Sequence, residues 1–308
     1  MGDNAVTSPA IRETPLSPRE SFAARLLTGS VKKSYDPVVD MDWDAPLDPD
    51  KLFLPPEIVS LYGTPLWEAM TPEQRRELSR QELANVLSVG IWFENLLNRL
   101  LLRELMAGDP TSRHSHYTLT EMGDECRHMM MFGKLIDRIE ARPYWPNRYE
   151  RLVIAALQLF LRGSMVWVGA LVGEEIFDAL QRRTLDDPQL QPLVARAMRI
   201  HVTEEARHIG FARDALAHRV PTMSRAELLY TRLCVAVAAP LFVHLMTNWH
   251  MYARAGVEDG RAARRLARAN PHSRRALGLG AANLGAFLDK QGLIGPIGKR
   301  VWRRRGLL

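Results

Sequence analysis

The stretch His201-Val202-Thr203-Glu204-Glu205-Ala206-Arg207-His208 holds residue types that bind transition metals, at a spacing that can gather them. On a helix, positions three and four apart share a face, so His201, Glu205 and His208 would point the same way. A second stretch, Glu121 followed by Glu125-Cys126-Arg127-His128, repeats the Glu-x-Arg-His tetrad, with its glutamate 80 residues before Glu205. Positions i and i+3 differ by roughly 60° of rotation and about 4.5 Å of rise, so one Glu can bridge two metals while its His ligates one. Carboxylate oxygens and imidazole nitrogens suit iron or manganese and leave positions open for dioxygen.

Such ligands need long helices to carry them. Thr71-Pro72-Glu73 predicts a helix start, with Thr71 as cap and Pro72 in the first turn, and the apolar pattern runs to about Ala107 before Gly108-Asp109-Pro110. Further helices are expected from about His116 to Glu140, from Tyr149 to Arg183, from Asp187-Pro188 to His218, and from a Ser224 cap towards Ala255 with a kink at Pro240. No run of period-two alternation appears, so the body reads as all-α. Residues 1–50, rich in Ser, Pro and Asp, predict an extended N-terminal arm with one short helix near Ser21–Leu27. Residues 51–260 form the expected bundle, and 261–308 a basic tail of short helices packing on or near it.

A bundle that holds two metals takes one Glu from each of two helices and Glu-x-x-His from each of the other two. The first helix offers Glu82, Glu94 and Glu104; Glu94 lies on a stripe with Leu87, Ile91, Leu97 and Leu101, where a charge is costly unless ligated or paired. Glu82 and Glu104 are nearer the helix ends and expected to be exposed. The third helix offers Glu174 and Glu175, one of which must face the centre. Glu121 reads as an exposed acid near a helix start. Arg127 and Arg207 sit about 100° from their neighbours around the helix, which suits pairing with Asp124, Glu204 or Asp178 rather than ligation.

Composition sets the outer bounds. The 308 residues are 46% hydrophobic and 25% charged, ordinary values for a soluble globular chain. Cys126 and Cys234 are the two cysteines, too few for a disulfide framework or a thiolate metal site. With no basic, apolar leader at Met1-Gly2-Asp3-Asn4, a cytoplasmic location is expected. Leu152–Gly173 is apolar but interrupted by Gln158 and Arg162, which fits a buried bundle helix better than a membrane span; Leu233–Met246 is too short to span. From Arg261 onward there are twelve Lys/Arg and one acid, a charge of +11, so the preceding 260 residues carry −5 of the chain's net +6. Docking or solvation of this tail is expected, with neither nucleic acid nor membrane as partner. Gly278-Leu279-Gly280 and Gly285 lack a strand–GxGxxG–helix context, so electrons must come from an external donor.

These motifs resemble those of the p-aminobenzoate N-oxygenase family of ferritin-like, non-haem di-iron oxygenases. The resemblance rests on Glu94, Glu125-Cys126-Arg127-His128, Glu174 and His201 to His208, across about residues 70 to 220. Its most specific feature is His201, a third histidine from the turn before the last Glu-x-x-His. The resemblance implies a ferritin-like helical bundle with additional helices and the metal ligands Glu94, Glu125, His128, Glu174, His201, Glu205 and His208. It further implies two iron ions (manganese as the alternative), dioxygen as co-substrate and an external reductase or reductant. The implied reaction is N-oxygenation of a primary, aryl amine through hydroxylamine and nitroso towards nitro. No catalytic side chain beyond the ligands is expected, and the pocket should be lined by residues such as Leu97, Asn98, Leu101 and Val172. Abundant apolar helix surface suggests a homodimer. The alternatives are a di-iron hydroxylase or desaturase acting on carbon, and a non-enzymatic metal-binding bundle.

Overall fold

The computed structural model describes residues 16–308, apart from the side chains of 157–160. The first part of the expected arm, residues 1–15, lies outside the described residues. Within them the chain forms α1 (Pro18–Lys32), α2 (Pro65–Glu68), α3 (Pro72–Ala107), α4 (Arg113–Arg138), α5 (Arg148–Phe160), α6 (Ser164–Arg182) and α7 (Pro192–Arg219). These are followed by α8 (Arg225–Leu245), α9 (Trp249–Arg254), α10 (Gly260–Ala269), α11 (Pro271–Lys290) and α12 (Pro296–Arg305). No sheet forms among the described residues; one isolated bridge joins Leu52 and Leu190. The all-α expectation therefore holds.

Helices α3, α4, α7 and α6 make a closed four-helix core, since α3 packs on α4 and α6, and α7 on α6 and α4. Helix α3 starts where Thr71-Pro72 predicts: Thr71 Oγ1 accepts from Gln74 N while the Gln74 side chain accepts from Thr71 N, a reciprocal capping box. Ser112 and Ser224 cap α4 and α8, their side chains accepting from Ser115 N and Glu227 N. The long stretch expected from Tyr149 to Arg183 is instead two helices. Gly163 adopts φ +56 at the break, a left-handed conformation open to glycine, and α6 restarts at Ser164. The fourth long helix begins at Pro192 rather than Pro188. Leu52 N donates to Gln189 O and Gln191 N donates to Leu52 O, which holds that segment extended until Pro192.

The N-terminal arm contains a longer helix than expected. Helix α1 lies against α4 and α7, and the Glu20 carboxylate accepts from the backbone N–H groups of Arg113 and His114 at the start of α4. The basic tail is built into the body: α11 packs on α6 and α12 on α8, and fully buried Trp302 donates from Nε1 to Val235 O at 3.0 Å. One stretch, Arg225–Arg254, is long and apolar enough to cross a membrane by length and composition. Pro240 lies inside α8, and the helix is interrupted after Leu245 before α9 begins.

Candidate metal centre

Each core helix brings carboxylate or imidazole groups to one place. Glu94 comes from α3, Glu125 and His128 from α4, Glu174 from α6, and His201, Glu205 and His208 from α7. All seven are at most 2% exposed. One ligand atom from each of Glu94, His128, His201 and Glu205 lies within 4.8 Å of the others, and the same holds for Glu125, Glu205 and His208, and for Glu121, Glu125 and Glu174. Glu205 and Glu125 each belong to two of these groups. Glu205 links the first group to the second and Glu125 the second to the third, so the three groups form one continuous cluster joined by two carboxylates, one per tetrad.

The imidazoles are braced reciprocally. His128 turns Nε2 to Glu204 on α7 at 2.9 Å, and His208 turns Nε2 to Asp124 on α4 at 3.2 Å. Both Nδ1 atoms then face the shared carboxylates: His128 Nδ1 is 2.9 Å from Glu125 and 3.3 Å from Glu205, and His208 Nδ1 is 2.9 and 3.4 Å from the same pair. His201 is turned the other way, with Nδ1 2.9 Å from Gln181 Oε1 and Nε2 3.4 Å from Glu205 and 3.7 Å from Glu94. Each ring thus has one nitrogen committed to an orienting group and one aimed inward, the arrangement that fixes tautomer and direction in metal sites.

These residues fit a pair of metal ions. Among the described residues, Glu94 Oε2, His201 Nε2 and both oxygens of Glu121, Glu174 and Glu205 have no hydrogen-bond partner although buried. Buried polar atoms are almost always paired, so this many convergent orphans form a cluster that could hold metal ions. Burial, then the neighbouring carboxylates, holds Glu94 and Glu174 well above the usual carboxylate range. For Glu125 and Glu205 burial acts the same way, but His208 and its neighbours outweigh it and hold them low, Glu205 at about 2. Burial pushes His201 down to about 3, leaving it a neutral donor.

Several expectations are corrected here. Glu121 is fully buried within the cluster rather than exposed: α4 begins at Arg113, so Glu121 stands two turns inside the helix and one turn from Glu125 on the same face. Glu175 turns away and receives Arg213 Nε at 3.1 Å, which leaves Glu174 at the centre. Glu82 is buried too, accepting from Ser60 N and Ser60 Oγ. Arg127 pairs with Asp124, and Arg207 with Asp124 and Glu204. Gln181 was not anticipated; no local pattern marks it, since its role depends on α6 lying against α7. A cavity of about 160 Å³ adjoins the centre, separated from His201 by Phe177 and Gln181 in its wall, and it is lined also by Leu83, Val86, Met198, Arg268, Arg274 and Arg305. Leu97, Asn98, Leu101 and Val172 do not line it.

The profile of the p-aminobenzoate N-oxygenase AurF family matches residues 17–292. The chain is 31% identical, over 294 residues, to an uncharacterized protein of Mycobacterium tuberculosis, covering 91% of this chain and 85% of that one. An uncharacterized protein of Mycobacterium bovis matches at the same identity and coverage, 31% over 294 residues. With nearly the whole length matched and a buried His/Glu cluster able to hold metal at its core, the chain belongs to the p-aminobenzoate N-oxygenase family.

Proposed function

We propose that this protein is a di-iron oxygenase that transfers oxygen to the nitrogen of a primary arylamine. The observation that carries the reading is the set of buried, inward-facing ligand atoms without hydrogen-bond partners. Glu94, Glu125, His128, Glu174, His201, Glu205 and His208 hold the metal in this reading. Two iron ions there supply the reduction of dioxygen, with electrons from an external donor. The chain's own part is geometry and dryness. Asp124, Glu204 and Gln181 fix the imidazoles, and the rings of Phe132 and Phe177, centred 5.0 and 5.5 Å from that of His201, keep water from that side. His201 adds a neutral donor, which supports a higher metal charge without adding negative charge.

The first step balances as one amine, one dioxygen, two electrons and two protons giving one hydroxylamine and one water. Further rounds lead through nitroso to nitro. The cavity beside the centre supports a substrate with an apolar body, and Arg268 and Arg274 in its lining suit an acid group on it. Incubating the iron-loaded protein with reductant, labelled dioxygen and a panel of arylamines tests the reading. Label on nitrogen supports it. Label on carbon points to a hydroxylase, and iron uptake and release without product to a metal-storing bundle.

A homodimer in the cytoplasm completes the proposal. Glu227 of α8 meets Ser164 at the start of α6, and His244 of α8 lies 4.0 Å from Glu150 of α5. Leu229, Leu233 and Val237 of α8 and Tyr149, Leu152 and Val153 of α5 are all exposed. Such a patch on a helix pair suits a second copy of the chain. Free Cys126 and Cys234 are compatible with a reducing compartment. Light scattering of the purified chain checks the dimer.

A further inference from the structure

One member of the cluster has no place in the seven-ligand set. Glu121 is 0% exposed, neither carboxylate oxygen has a hydrogen-bond partner among the described residues, and one of them stands within 4.8 Å of ligand oxygens of Glu125 and Glu174. It sits one turn before Glu125 on α4, so the helix itself aims both side chains the same way. Fully buried Tyr117, a further turn back, likewise has a hydroxyl without a partner. A buried carboxyl with nothing donating to it is costly to fold around unless a cation collects it.

The groups are also unequal. Glu94, His128, His201 and Glu205 form a cradle with two imidazoles, whereas Glu125, Glu205 and His208 bring one and Glu121, Glu125 and Glu174 none. Four carboxylates from the seven-ligand set cancel the charge of two divalent ions, and a fifth makes its half of the centre richer in hard oxygen donors. We propose that Glu121 is an additional ligand, a terminal carboxylate to the metal held by Glu125, Glu174 and His208. That half of the centre becomes the more oxygen-rich and more anionic, and so the better host for a hard ion such as manganese(II). The inference rests on reading the cluster as a dinuclear metal centre.

The test is titration of the metal-free full-length chain and its Glu121→Gln and Glu121→Ala variants with manganese(II), counting bound ions by elemental analysis and resolving their environments by electron paramagnetic resonance. The wild type should take two ions in unlike environments. Both variants should keep the ion of the imidazole-rich cradle and bind the other about tenfold or more weakly. Circular dichroism and melting of the metal-free variants should match the wild type. Unchanged affinity and spectrum in folded variants would overturn the proposal, as would destabilisation of the metal-free variants with metal binding intact, which marks a structural side chain. Glu205→Gln serves as reference and should weaken both ions. If it too binds two ions as the wild type does, the dinuclear reading itself fails, a result distinct from silence at Glu121 alone.

Discussion

Glu204 on α7 holds Nε2 of His128 on α4 at 2.9 Å, and the relationship is returned by Asp124 on α4, which holds Nε2 of His208 on α7 at 3.2 Å. The acid just before each shared glutamate therefore orients the histidine of the opposite tetrad. Glu204 is itself held by Tyr35 N, which donates to Oε1 at 3.1 Å, so the segment after α1 takes part in positioning a candidate ligand. Replacing Glu204 with Gln should leave a folded protein whose affinity for iron falls about ten- to a hundredfold. Competition against a chelator reads this directly, and unchanged affinity would remove Glu204 from the site.

Glu174 and Glu175 are adjacent but face different partners. Glu174→Gln should abolish or strongly weaken binding at one of the two metal positions. Glu175→Gln should keep both metals and lower stability by about 1–3 kcal/mol, because it weakens the partner of half-buried Arg213. Metal counting and chemical denaturation of the two variants separate the roles, and the reverse pattern would exchange the assignments.

The Phe93 ring meets α6 at Gly173, where an added Cβ would overlap it. The contact sits one residue before Glu94 on one helix and one before Glu174 on the other. Gly173→Ala should therefore cost about 1–3 kcal/mol and weaken metal binding. Combining it with Phe93→Ala should recover part of the metal affinity in a double-mutant cycle. Additive losses would mean that this close approach does not set the spacing of the two carboxylates.

Glu82 provides a pH test away from the centre. Burial raises its pKa to about 7, against the opposing effect of the bonds from Ser60. A carboxyl whose folded pKa lies above its unfolded value near 4.5 binds more protons when folded. Its contribution is thus fully present below that unfolded value and lost as pH rises towards about 7. The loss is on the order of 1–3 kcal/mol. Glu82→Gln should remove this fall, so urea denaturation of variant and wild type at acidic and slightly alkaline pH should diverge by that amount. Parallel curves would show that Glu82 stays charged.

Much of the centre is legible along the chain because helix geometry is local. His201, Glu205 and His208 share a face whatever surrounds them, as do Glu125 and His128, and Thr71-Pro72 starts α3 where its chemistry requires. The stripe around Glu94 likewise announces a buried charge, because apolar neighbours recur at helical period. Consecutive residues differ by about 100° around the helix. Whether Glu174 or Glu175 faces the centre therefore depends on where α6 meets α7 and on Arg213 meeting Glu175, neither of which is written locally. The burial of Glu121, the turn at Gly163, the late start of α7 at Pro192 and the crossed pairing of Asp124 with His208 and Glu204 with His128 have the same origin. Each depends on contacts between segments far apart in the chain. Periodicity and capping act within one turn, and only the assembled bundle decides which atoms of different helices come within bonding distance.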